Sequence, residues 1–182
     1  MRRWLTTIVA LALFSGLLVY TLFYDKPGNT EKNPEAPAIF SLDVNKIRKF
    51  SLAGPKGSVT LERDESGQDG PGWRVTEPGT YPADNSKADE LASTLAGLKA
   101  LRVIEGGAES LSSFGLDRPA ATAEVTTADG SRKTIILGNK TPLEGAEQSY
   151  YAMEKGGAVV YTIPGRVATL LLRDDLADWR RN

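Results

Sequence analysis

Asp117 and Arg118, in the stretch SSFGLDRPA at 112–120, put an acid and a base side by side next to Gly115 and Pro119. They are the first residues to examine for chemistry, and the pairing is weak. Neighbouring residues in extended chain point in different directions, and the sequence has neither histidine nor cysteine to join them. Without histidine the usual general base and the commonest neutral metal ligand are missing. Without cysteine there are no disulfides and no thiolate sites. Serine–lysine catalysis would have to use neighbours such as Ser86–Lys87, and Lys133–Thr134 is the nearest equivalent; both lie in ordinary helix-start and hairpin contexts. The loop DESGQDGPG sets Asp64, Ser66 and Gln68 at alternate positions, as a calcium loop would. It then places Asp69 where the sharp-turn glycine belongs and Val75 where the bidentate glutamate belongs. GNKTPLEG at 138–145 lacks the spacing of a phosphate loop, and Pro142 would interrupt the following helix. No pair of carboxylates is singled out for glycoside chemistry. The expectation is a non-enzyme with no catalytic, cofactor-binding or metal-binding residues.

The same stretch makes sense as backbone. Ser110 can cap one helical turn at 111–114, and Gly115 then takes the left-handed position that ends it. In that ending the residue after the glycine packs on the one five earlier, here Leu116 on Leu111. Pro119 prevents a return to helix and opens the next strand.

The elements around it read mainly as strands. IRKFSLAG and GSVTLERD form a hairpin pair, and GWRVTEP, beginning with Trp73 after its glycine, is a strand stopped by Pro78. SKADELASTLAGLKAL has the helical period, with Ala88, Leu91, Leu95 and Leu98 on one face; Asp84 is its N-cap, with Ser86 as a rival start. Gly97 would weaken that helix by about 1 kcal/mol relative to alanine, so a close backbone neighbour is expected there. LRVIEG is a short strand. ATAEVTTADGSRKTIILG, closed by Gly138, is a hairpin turning at Asp129–Gly130, and QSYYAMEKGGAVVYTIPG repeats the arrangement. The tail is helical around Val167, Leu170 and Leu171. Hairpins followed by a helix occur twice, a weak internal pseudo-repeat. The expected class is α+β: largely antiparallel sheet built of hairpins, with two main helices packed on one face.

Ahead of this lies WLTTIVALALFSGLLVYTLFY at 4–24, uncharged and apolar, which as a helix would reach roughly 31 Å, the thickness of a hydrocarbon core. Trp4 at one end, and Tyr20 and Tyr24 at the other, are interface aromatics, and Arg2 and Arg3 precede the run. No small-residue pair follows it for signal cleavage. The expected layout is a cytoplasmic terminus at 1–3, a transmembrane anchor at 4–24, a flexible linker at 25–38 and a periplasmic domain at 39–182. The net charge is −1, or −3 once Arg2 and Arg3 are left inside, and it offers no field for nucleic acid.

The ordered set GWRVTEPGTYPAD, SLSSFGLDRPAATAEV, TIILGNKTPLEGAEQSYYA and VVYTIP resembles the domain of unknown function 4340 family, over roughly 39–172. The resemblance implies membrane-anchored bacterial envelope proteins, exposed outside the inner membrane and often associated with auxiliary components of gliding-motility-type ABC transporters. It implies no reaction and no cofactor. Many relatives are longer and carry the unit more than once, so self-association or a partner subunit is expected of this single copy. Tyr150 on a predicted strand, and Trp179 and Arg180 near the end of the chain, are candidate partner contacts, although Trp179 packed on the domain is the favoured alternative. The expected role is accessory or assembly: docking on a larger membrane complex through an exposed sheet edge. The alternative is an envelope glycan or lipid bound against Trp73 and Tyr81.

Overall fold

The structure is a computed structural model that describes residues 36–66, 70–104, 107–142 and 148–181. Among these, nine strands form one sheet, in the order β4-β3-β2-β1-β6-β7-β8-β9-β5, with every neighbouring pair antiparallel. The first half of the sheet is β1 (Ile47–Gly54), β2 (Gly57–Asp64), β3 (Gly72–Glu77) and the two-residue β4 (Tyr81–Pro82), followed by helix α1 (Asn85–Ala96). Then come β5 (Arg102–Ile104) and a 3-10 segment (Gly107–Phe114). The second half is β6 (Ala121–Thr127), β7 (Arg132–Lys140), β8 (Ser149–Glu154) and β9 (Val160–Pro164). It is followed by α2 (Gly165–Leu171) and α3 (Leu176–Trp179).

Alternation along the strands decides what each face does. On one face Phe50 stands beside Leu61 and Val125, Leu52 beside Val59 and Ala123, and Leu137 beside Ala121 and Ala152. These residues form the main core with Leu91 and Leu95 of α1, Ala168 and Leu171 of α2, and Trp179 of α3. The helices earn their places locally. Asp84 caps α1 by accepting from the amides of Ser86 and Lys87. Asp175 caps α3 by accepting from Ala177.

The fold class expected from the sequence needs correcting. The molecule is one continuous nine-stranded antiparallel sheet with few and short helices, not an α+β arrangement with two main helices. Hairpin patterning sees each strand's near neighbour, but the two halves are fused by β1 pairing with β6, strands that lie far apart in the sequence, from Ala53 with Thr122 to Ile47 with Thr127. The C-terminal helix α2 does cover Val167, Leu170 and Leu171, and it ends there: beyond it Asp174 turns inward, where its carboxylate accepts the amide of Lys56 at 2.7 Å. Gly97 has no close backbone neighbour; it is the C-cap residue at which α1 stops. Among the described residues no helix is long and apolar enough to cross a membrane. The apolar run 4–24, with Arg2, Arg3, Trp4, Tyr20 and Tyr24, lies outside the described residues, as does most of the 25–38 linker. The last residues assigned to that linker belong to the fold: Ala38 bridges Lys99, and the Pro37 carbonyl accepts the Ala100 amide.

Candidate functional site

Gly115 has φ +69, the amide of Leu116 donates to the Leu111 carbonyl at 2.9 Å, and that of Gly115 donates to Ser112 at 3.1 Å. These are the two hydrogen bonds of a Schellman ending. Its apolar partners do more than end a turn. Leu111, Phe114 and Leu116 cover the opposite face of the sheet, packing with Ile104, Ile136, Tyr151, Met153 and Val160 into a second, smaller core. Phe114 and Tyr151 lie ring to ring at 4.7 Å. Gly138 makes the approach possible, because a Cβ there would stand 2.2 Å from the Phe114 carbonyl oxygen. Asp117 and Arg118 are exposed, and Pro119 leads into β6. Pro78 follows β3 through a cis peptide bond.

The other residues weighed for chemistry are engaged in structure. Asp64 takes the Arg74 guanidinium at 2.6 Å, and that hydrogen bond holds its carboxyl below the usual carboxylate range. Lys87 donates to the Asp178 carbonyl, and Lys133 pairs with Glu154. Asp129 sits at the β6–β7 turn, where the Thr127 hydroxyl and then the Ser131 amide hold its carboxyl down to about 2. Among the described residues no group of acidic side chains is arranged to hold a metal ion.

The aromatic candidates are likewise occupied. Trp73 is 4 % exposed, stacks near Phe50 at 4.7 Å and donates its indole N–H to Asp89 at 2.8 Å. The Arg63 guanidinium lies over its ring. Tyr81 is half-buried beneath the Arg180 guanidinium. Trp179, singled out as a partner contact, is fully enclosed and donates its indole N–H to the Arg173 carbonyl at 2.6 Å. Its ring is therefore a core element, as the alternative had it. Tyr150 is half-buried against the main core.

The exposed apolar surface lies elsewhere. Leu101, Val103 and Val159 are 44 %, 46 % and 38 % exposed, and all three sit at the β5 end of the sheet. Val103 pairs with Tyr161, and Val159 immediately precedes the strand β5 pairs with. Among the described residues no strand lies beyond β5. The opposite end is closed, since the C-terminal segment bonds alongside β4: Arg181 donates to Pro82, and Asp84 donates to Trp179. Chain also runs beside the approach to β5. The Ala100 amide bonds Pro37 while that of Leu101 bonds Thr162, so the described residues 36–39 lie on the side away from β9.

Beside this edge a groove of about 760 Å³ opens between α1 and α2. Leu98, Val167 and Leu170 form its floor; Lys99, Arg166 and Arg173 stand on its walls with one acid, Glu90, which lies 3.7 Å from Arg173. None of these residues was singled out for function in the sequence, where Leu98, Val167 and Leu170 read only as apolar helix positions. LRVIEG reads only as a short strand, and neither its edge position nor the meeting of α1 with α2 leaves a local signature.

No curated protein and no solved structure matches this chain. The family model described as "Domain of unknown function (DUF4340)" matches residues 73–182, from the buried Trp73 through the second core to the C-terminal segment that closes the sheet. Over more than half its length, and through the elements that build its second core, the chain belongs to the DUF4340 family.

Proposed function

We propose that this protein is a single-pass inner-membrane protein whose β-sheet domain, on the periplasmic side, is a non-catalytic assembly module. It docks on a protein subunit of a larger membrane complex, for which the family resemblance suggests an ABC transporter. The observation that carries this reading is the β5 edge, where the exposed large apolar side chains Leu101, Val103 and Val159 gather at the end of the sheet. An edge strand offers main-chain groups to an extended segment of a partner, and flanking apolar side chains add area. The apolar run 4–24 and the arginines before it support the membrane placement. Confinement to one membrane raises effective concentration, so a three-residue edge need supply only modest affinity. The alternative, an envelope ligand held against Trp73 and Tyr81, finds less support, since Trp73 is 4 % exposed and Tyr81 is half-buried beneath the Arg180 guanidinium.

A photo-crosslinking residue at Val103 of the full chain, in cells, tests the reading. It should capture a membrane-complex subunit, and Val103→Asp should abolish co-purification of that subunit while the protein stays folded. Undiminished co-purification with Val103→Asp and Leu101→Asp, and no crosslink from Val103, would remove edge docking.

A further inference from the structure

We infer that the groove between α1 and α2 is a seat for the headgroup of an anionic phospholipid, presented to it by the membrane in which the chain is tethered. The inference rests on the tethered reading above but concerns a different surface from the docking edge.

Three observations carry it. The first is charge: Lys99, Arg166 and Arg173 stand on the groove against the single acid Glu90, although the chain as a whole carries a net charge of −1. Lys99 and Arg166 are exposed, and only Arg173 has the acid near it. Guanidinium groups donate to a phosphodiester through paired N–H groups, and an ammonium adds a compact charge. The second is the floor. Leu98, Val167 and Leu170 give the groove an apolar base beneath its cations, which suits an amphiphile better than a fully hydrated anion. The third is the point of entry: Ala36, where the described chain begins after the apolar run and its linker, lines this same groove. The tether thus joins the domain at the wall of this cationic recess. A soluble anion would account for the cations alone, whereas a headgroup accounts for the cations, the floor and the entry point together.

Each cation near an anionic lipid surface contributes about five-fold to association at physiological salt, and the effect is screened as salt rises. The sequence has no cysteine, so one introduced thiol reports from one place. Ser93, exposed on the α1 wall, is that place. The full chain carrying Ser93→Cys with a fluorophore would be reconstituted into phosphatidylcholine vesicles with and without phosphatidylglycerol, each doped with a lipid bearing a headgroup quencher. Quenching should be at least about two-fold stronger with phosphatidylglycerol and fall to the neutral-vesicle level in Lys99→Glu/Arg166→Glu. Unchanged tryptophan emission, dominated by the enclosed Trp73 and Trp179, would show that the charge reversals leave the fold intact. Equal quenching in both vesicle types, or no loss on charge reversal, would overturn the inference. So would the same fluorescence change on adding inorganic phosphate to neutral vesicles, which would assign the groove to a soluble anion. Flotation with neutral vesicles in high salt reports the tether separately. Its failure would sink the tethered reading, and the groove would still be judged by quenching of the added protein on phosphatidylglycerol vesicles.

Discussion

Asp129 shows how a residue with a displaced pKa can be wholly structural. Its carboxylate accepts from the Thr127 hydroxyl and the Ser131 amide within the β6–β7 turn, and those bonds favour the charged form. Its folded pKa lies at about 2 against an ordinary 3.8, so the charged form is the one the fold prefers. The sign follows from that. The stabilisation is fully present above 3.8 and is lost as pH falls from there through about 2. Thr127→Val removes the leading hydroxyl, so a carboxyl-detected NMR titration should find Asp129 moved up toward 3.8, with the turn's acid sensitivity shifted to match. An unmoved titration would mean the Ser131 amide alone sets the value. The Asp–Gly pair was legible in the sequence as a turn. The shift was not, because it depends on which way Thr127 and Ser131 face across the turn.

The local elements were legible to within a residue or two wherever period and punctuation agreed. β1 and β2 occupy the stretches IRKFSLAG and GSVTLERD, and the cap at Asp84 and the glycine ending at 115 stand where their residue types put them. What the pattern missed is what the glycine ending is for. Alternation marks one buried face per strand, but β7, β8 and β9 bury residues on both, because the 3-10 segment and its Leu111, Phe114 and Leu116 press onto the far side. Gly138 sets the closeness of that contact, and it separates two mechanisms by which a glycine can be needed. At Gly138 an added methyl would meet the rigid carbonyl of Phe114, so Gly138→Ala must push the segment off the sheet. The expected loss is about 2–3 kcal/mol in chemical denaturation, in the range for overpacking a well-filled site. At Gly156, which has φ +79 and nothing within reach of a Cβ, Gly156→Ala should cost about 1–2 kcal/mol through backbone strain alone. Equal losses at the two positions would mean that the second core yields freely, contrary to its close packing.

At the scale of the molecule, the sheet is held together by a strand that lies outside the family-matched region. The match begins at Trp73, within β3, and leaves out β1 and β2. Yet β1 is the strand that joins β2 to β6, and Phe50 and Leu52 on it are fully buried at the centre of the main core. Without β1 and β2 the remaining strands fall into two pieces, β3 with its two-residue neighbour β4 on one side and β6 to β9 with β5 on the other. Trp73 and Trp179 would both lose the Phe50 ring. Two-stranded pieces with an uncovered apolar face are marginal in water. A fragment of residues 73–182 should therefore give a collapsed, poorly dispersed amide NMR spectrum, whereas 36–182 should give a dispersed one with a cooperative thermal transition. A well-dispersed, cooperative 73–182 fragment would mean that β6 tolerates life as an edge and that the core closes without Phe50. The contrast bears on docking as well. If β1 is what keeps β6 from being an edge, then among the described residues β5 is the end of the sheet that no strand covers, and it is there that a partner strand would add.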